Sequence, residues 1–459
     1  MSKFLLLPVE NKSREFLAKL VLAALAVERG YDVLIGRMWF FEHNVDVLPK
    51  GFLLAKSFTS LQAARFQVPF KAAGFLVGAT DEEGFNQVTA GKVTRRLSEA
   101  AAASSDLLFS WGENHSRIYR NHLPHHAEKI CVAGNPRWDI LRPEARGLYS
   151  ERVEAIQRQY GKYLLVNTNF GSVNHVTGPD YLYKASAATG EFNPNNPEDR
   201  EILDRTLRFE KETMQGFREM IPELASAFPS HSIIVRPHPS EDQSTWMNVL
   251  QRHENVHVVF EGDVESWIVG ADALVINGCT TALQAMTMGT PVVDYIPYRD
   301  EVHLNYVLTN QVTPHHYEIA GLIEGIRTLV DDLEAAKPVR ERALEQMAGH
   351  NAALTGQLAA TRILDEIDRS MVSNSLDGQP HWPPGGSMNL KIPKMNQLSL
   401  TKFPDTPVQE VSEVLGRIVA VFGISAPDIL IAMIAPSVFI LRARVDPLSD
   451  KPKKGTAYL

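Results

Sequence analysis

An Arg and a His stand at the end of an apolar run, in Arg236-Pro237-His238-Pro239 after residues 232–235. These residue types donate hydrogen bonds to phosphate oxygens. The run reads as a strand that delivers His238 to a sheet edge, with the prolines fixing its approach. A second stretch, Asn277-Gly278-Cys279-Thr280-Thr281-Ala282-Leu283-Gln284, follows another apolar run and leads into a helical pattern. Thr280 and Thr281 therefore sit near a helix N-terminus, where free N–H groups and the helix dipole attract anions. A third stretch, Asp81-Glu82-Glu83-Gly84, places carboxylates at a strand end, where one of Glu82 and Glu83 suits a general base acting on a hydroxyl. Each stretch also suits a purely structural turn: a capping His, an N-capping Thr, an acidic solvated loop.

Two further turns are candidates. Residues 167–171 (Asn-Thr-Asn-Phe-Gly) follow a strand, and the amides of Asn167 and Asn169 could read sugar hydroxyls or a carboxylate. Residues 134–139 (Gly-Asn-Pro-Arg-Trp-Asp) form a strand exit suited to a hinge or a substrate contact. The chain has no G-x-x-x-x-G-K-[ST], no G-x-G-x-x-G after a strand and no H-E-x-x-H. The His pairs at 125–126 and 315–316 lack metal-ligand partners and read as exposed loops.

These residues need a scaffold, and the apolar runs supply one. In the first third, runs at 4–9, 32–35, 51–54, 74–77, 106–110 and 129–133 alternate with helical patterns. Runs at 163–166, 232–236, 256–260, 273–276 and 291–294 do the same further on. Such alternation predicts parallel sheets covered on both faces, with ligands beyond the carboxyl ends of the strands. The expected domains are 1–145, 146–345 for the nucleotide, and a helical and extended tail at 346–459. A Pro/Gly/Ser/Asn-rich stretch at 371–407 reads as a linker or an extended wrap. The tail from Val408 has an apolar helical pattern. Its stretch 429–441, followed by Arg442 and Arg444, suits a membrane surface, the body of the protein or a second subunit.

Composition narrows the classes. The 459 residues are 44% hydrophobic and 22% charged, ordinary for a globular chain. A net charge of −8 argues against nucleic-acid binding by bulk electrostatics. Two distant cysteines, Cys131 and Cys279, fit a reducing compartment rather than a disulfide framework. No segment reaches the ~20 apolar residues of a membrane span. The N-terminal run is too short for a signal peptide, so a cytoplasmic location is expected, including the inner face of the membrane.

The stretches Pro-Val-Glu-Asn-Lys-Ser-Arg-Glu (8–15), Gly-Asn-Pro-Arg-Trp-Asp, Arg-Pro-His-Pro and residues 277–292 together resemble bacterial surface and capsule polysaccharide biosynthesis proteins over residues 1–345. That group resembles GT-B glycosyltransferases, including Kdo transferases of lipopolysaccharide and bacterial sialyltransferases that use CMP-activated sugars. The resemblance implies an α/β GT-B fold of two Rossmann-like doubly wound domains facing a cleft, with a C-terminal helical extension. It further implies Glu82 or Glu83 as base, His238 as phosphate ligand and Thr280 as its helper. Arg236, Thr281, Asn167 and Asn169 join the nucleotide site. Cys279 stands where the related pattern has Ser, and Gln284 where it has a Glu that often binds ribose. The implied reaction is metal-independent transfer of a sugar, from a CMP-sugar in preference, to a glycan or other hydroxyl acceptor, with no tightly bound cofactor. A sugar-nucleotide epimerase or hydrolase and a non-catalytic assembly scaffold are the alternatives, and a homo-oligomer is compatible with each.

Overall fold

Lys3–Val9 (β1) is the apolar run KFLLLPV, buried along nearly its whole length. A strand buried on both faces needs cover on both, and Leu17–Glu28 supplies part of it through a helix whose Leu, Val and Ala residues are almost all buried. The computed structural model describes residues 3–82, 84–85, 90–189, 193, 195–250, 253–300, 308–374, 390–425, 428–444 and 456–458. The chain divides into two units, Met1–Leu148 with Ala348–Leu459, and Tyr149–Met347.

In the first unit β1 is followed by Tyr31–Arg37 (β2), Phe52–Ala55 (β3), Leu76–Ala79 (β4), Leu107–Ser110 (β5) and Ile130–Val132 (β6). They pair in parallel in the order β2-β1-β3-β4-β5-β6. The order reverses between β1 and β3, which makes their carboxyl ends the place for a ligand crevice.

The second unit carries Tyr163–Asn167 (β7), Ser232–Arg236 (β8), Val256–Val258 (β9), Ala273–Ile276 (β10), Val292–Tyr295 (β11) and His315–His316 (β12). All are parallel, in the order β12-β11-β10-β7-β8-β9, a doubly wound arrangement whose reversal falls between β7 and β10. The long helix Pro197–Ala227 starts with Pro197 at its first position and the Asn196 side chain accepting from Glu198 N. Its Phe217, Met220, Ile221 and Leu224 pack on Leu164, Val166, Val235 and Val275. The opposite face of the sheet, where Tyr163 meets Trp267, lies under the helices Val264–Gly270 and Thr281–Met288.

The C-terminal segment differs from the expected tail. Helices are present at Ala359–Ser373, Gln397–Lys402 and Val408–Phe422. Beyond them come three strands, Ile429–Ala435 (β13), Val438–Ala443 (β14) and Thr456–Tyr458 (β15), which extend the first sheet as β15-β13-β14-β2. A short apolar run suits a buried strand as well as a helix, and here Pro436 and Ser437 split it into a hairpin. Gly36 makes the junction possible, because a Cβ there would lie 2.3 Å from Ser437 O. Val438 to Leu441 are fully buried, Arg442 faces Asp32 at 3.9 Å and Arg444 faces Asp428 at 3.8 Å. Of the three places expected for 429–441, the body of the protein is the one found, as two strands rather than the expected helix, with β14 paired to β2. Among the described residues no helix is long and apolar enough to cross a membrane. The reading of 371–407 as a linker or an extended wrap falls partly outside the described residues. Its described end, the segment Gln397–Lys402 and after, is anchored: Lys402 pairs with Glu10 at 2.5 Å and Arg37 donates to Phe403 O at 2.8 Å.

Candidate functional site

Three adjacent strands of the second unit, β8, β7 and β10, end in the turns that hold most of the expected site residues. Pro237 follows β8 and leaves His238 exposed, with its Nδ1 2.7 Å from Ser240 Oγ. The buried Glu241 anchors this turn, accepting from His238 N at 3.0 Å and from Thr168 Oγ1 at 2.7 Å. It also accepts from Phe170 N at 3.1 Å, Trp246 Nε1 at 2.9 Å and Asn174 Nδ2 at 3.4 Å. One carboxylate thus joins the turn after β8 to the turn after β7. Nothing in the local pattern around Glu241 marks it; only Trp246, five residues on and too bulky for an exposed turn, hints at buried polar company.

Asn167 ends β7 on the face opposite Leu164 and Val166, and it is buried, while Asn169 is exposed. Asn277 Nδ2 donates to Asn169 O at 3.3 Å, which ties the turn after β10 to the same place. Gly278 adopts φ +69, a left-handed conformation, and its N–H donates to the buried Asp294 Oδ1 at 3.2 Å. Thr280 occupies the N-cap position of Thr281–Met288, but its side chain makes no cap hydrogen bond. The capping expectation is corrected here, because Thr280 holds the N-cap position without the bond; the neighbouring Cys279 thiol is buried, which pushes its pKa up. Thr280 is exposed, whereas the Thr281 hydroxyl is buried and Ala282 N and Leu283 N already donate to Cys279 O and Thr280 O, both at 3.1 Å, so what the turn presents is the Thr280 side chain at the start of a helix.

Two expected ligands are engaged elsewhere. Arg236 donates to Glu261 O at 2.6 Å and Gly262 O at 3.2 Å, and its guanidinium lies 5.3 Å from the Trp267 ring. It ties loops together where a phosphate contact was expected. Gln284 is buried and donates to Glu265 Oε1 at 3.3 Å, so its amide nitrogen joins two helices. The His315–His316 pair forms β12, half-buried beside β11, and is not an exposed loop.

The first unit holds Glu82 beyond β4; Glu83 lies outside the described residues. Glu82 is 8% exposed, and burial raises its pKa. Thr80 Oγ1 donates to Glu82 Oε1 at 3.3 Å and Asn135 Nδ2 to Oε2 at 3.5 Å, while Arg137 Nη1 holds Glu82 O at 2.9 Å. The stretch 134–139 therefore positions this carboxyl, and Asp139 at its end accepts from Ala359 N and Ala360 N, both at 2.8 Å. Near Glu82 is a buried ion pair the sequence did not announce, Lys19 to Glu15 at 2.9 Å; Lys19 pulls the Glu82 pKa down and Glu15 pushes it up. Glu10, clamped by Lys56 and Lys402, is held down to about 2: their hydrogen bonds and charges outweigh the opposing effect of burial. A buried carboxyl at a strand end, its pKa raised by burial and its oxygens held by Thr80 and Asn135, has the setting of a general base.

Protein-family models and curated proteins yield no match to this chain. Solved structures do. The wall teichoic acid polymerase TagF, in a crystal soaked with CDPG, is 13% identical, with a TM-score of 0.50 over 82% of this chain and 90% of that one. A putative UDP-N-acetylglucosamine 2-epimerase from Listeria monocytogenes is also 13% identical, with a TM-score of 0.50 over 81% of this chain and 97% of that one. Two parallel doubly wound sheets and these likenesses together give the chain a GT-B fold of two Rossmann-like domains.

Proposed function

We propose that the protein is a glycosyltransferase that takes a sugar from a nucleotide donor and passes it to a surface glycan or another hydroxyl acceptor. One observation carries the reading: β8, β7 and β10 bring His238, Asn167 with Asn169, and Thr280 with Thr281 to one sheet edge at its reversal point. A ligand there meets the His238 imidazole, the exposed Thr280 side chain and the positive end of a helix dipole, all of which favour a departing phosphate as its charge grows. Glu82 is the carboxylate proposed to take the acceptor's proton. A CMP-activated sugar, Kdo or a nonulosonic acid, is the donor we favour, and the likeness to a polymerase soaked with CDPG is compatible with a cytidine nucleotide.

A second reading, sugar-nucleotide epimerisation or hydrolysis, draws support from the epimerase of the same fold. Thermal stabilisation by CMP, CDP, UDP and GDP, followed by donor breakdown with and without a hydroxyl acceptor, separates the readings. A ligand at 100 times its Kd stabilises by about 2.7 kcal/mol, an easily seen shift. Transfer requires acceptor-dependent turnover; turnover without acceptor supports the second reading, and no stabilisation by any nucleotide removes both.

A further inference from the structure

Asp294, the last residue but one of β11, is in register with Ile276 of β10 on one side and His315 of β12 on the other. It is fully buried. Its Oδ1 accepts from Gly278 N at 3.2 Å, and its Oδ2 faces His315 Nε2 at 3.7 Å. Gly278 holds a left-handed conformation that other residues adopt only at a cost, and a Cβ there would lie 2.9 Å from Asn310 Oδ1, so the turn is gripped from below and from the side. The carboxyl therefore sits under the turn that leads into the N-terminus of Thr281–Met288.

We infer that Asp294 is a positioning residue of this turn, and that the turn accepts an anionic phosphate better with this carboxyl neutral than with it ionised. This rests on the nucleotide-dependent reading above. In the neutral form the carbonyl oxygen holds Gly278 N–H and adds no charge. The ionised form places a fixed negative charge beneath the helix N-terminus, where it competes with a ligand phosphate for the same dipole. Burial pushes Asp294 up to about 7, with Gly278 N–H and the Thr313 hydroxyl pulling against it, and burial lowers His315, so a neutralising imidazolium is disfavoured. The titratable group facing Asp294 from β12 is His315; His238, on the turn after β8, is the other group whose charge acts on a phosphate at this edge.

The test compares the full-length wild type, Asp294→Asn and His238→Gln. Affinity for CMP and for UDP is measured by calorimetry from pH 5.5 to 8.5. In the wild type it should weaken about tenfold as pH rises through 7, equivalent to about 1.4 kcal/mol. Asp294→Asn keeps an acceptor for Gly278 N–H but cannot ionise, so it should hold its low-pH affinity and lose most of the slope, whereas His238→Gln should keep the part due to Asp294. A wild-type slope in Asp294→Asn overturns the inference. Exchange of the Gly278 amide in ligand-free protein is read in parallel. Protection in the wild type should rise about threefold across pH 7 relative to Asp294→Asn, and parallel curves overturn the inference. Should no nucleotide bind the wild type, the functional reading fails, while the amide curves still decide whether Asp294 governs the turn.

Discussion

Removing the Glu241 carboxylate should loosen the two turns it joins and destabilise the second unit together with its ligand site. In Glu241→Ala five donors lose their acceptor: His238 N, Phe170 N, Thr168 Oγ1, Trp246 Nε1 and Asn174 Nδ2. Asn174 is near the surface and water replaces its bond cheaply. Thr168 can rotate its hydroxyl. The two backbone amides and the indole remain, each costing about 1–3 kcal/mol when buried and unpaired. The expected loss is about 4 kcal/mol. Glu241→Gln keeps the shape but turns one acceptor into a donor; whichever way the amide sits, it opposes either Trp246 Nε1 or the turn amides, and about half that loss should follow. Urea unfolding reports this directly: with a slope of about 2.5 kcal/mol/M, Glu241→Ala should move the midpoint down by roughly 1.5 M. Nucleotide affinity should fall in both variants because His238 loses its seat. An Ala variant within 1 kcal/mol of wild type would refute the idea that this carboxylate organises the turns.

Other outcomes follow from the same geometry. Glu82→Gln should reduce transfer by about 100-fold or more while leaving nucleotide-induced stabilisation intact, and the wild-type rate should fall on the acid side at a higher pH than an ordinary Glu would give, because burial raises this carboxyl; unchanged turnover would remove Glu82 as base. Asp139 is pushed up by burial from 3.8 to about 6. Its contribution to stability is full below pH 4 and lost as pH rises through 6, about 3 kcal/mol over that window, and Asp139→Asn should flatten this slope in denaturant titrations at several pH values. Gly278→Ala, forced to φ +69, should cost about 1–2 kcal/mol and weaken nucleotide binding with far-UV circular dichroism unchanged; undiminished affinity would show that the turn does not hold the ligand.

The parallel strands were legible because each is a short apolar run closed by a turn, and their carboxyl ends follow from chain direction alone. Placing His238 and Thr280 at strand ends came from that pattern. The partners that hold them did not. Glu241 acts through Thr168, Phe170 and Trp246, and Asp294 through Gly278, contacts made only when separate strands come together. Arg236 illustrates the opposite failure: its residue type suits phosphate, but Glu261 O and Gly262 O lie closer to hand. The segment 429–441 was misread because its strand partner, β2, lies roughly 400 residues upstream, beyond the reach of any local periodicity.

That pairing of β14 with β2 has a consequence for synthesis. The second unit, Tyr149–Met347, is one continuous stretch and is complete while the chain is still on the ribosome. The first unit is not: between the emergence of Arg37 and of Val438, roughly 400 residues must be made. At about 5–20 residues per second this is roughly 20–80 s during which one edge of β2 stays unpaired. An open, apolar edge is a template for unwanted strand addition, so a nascent chain stalled or truncated before β14 should be the aggregation-prone species.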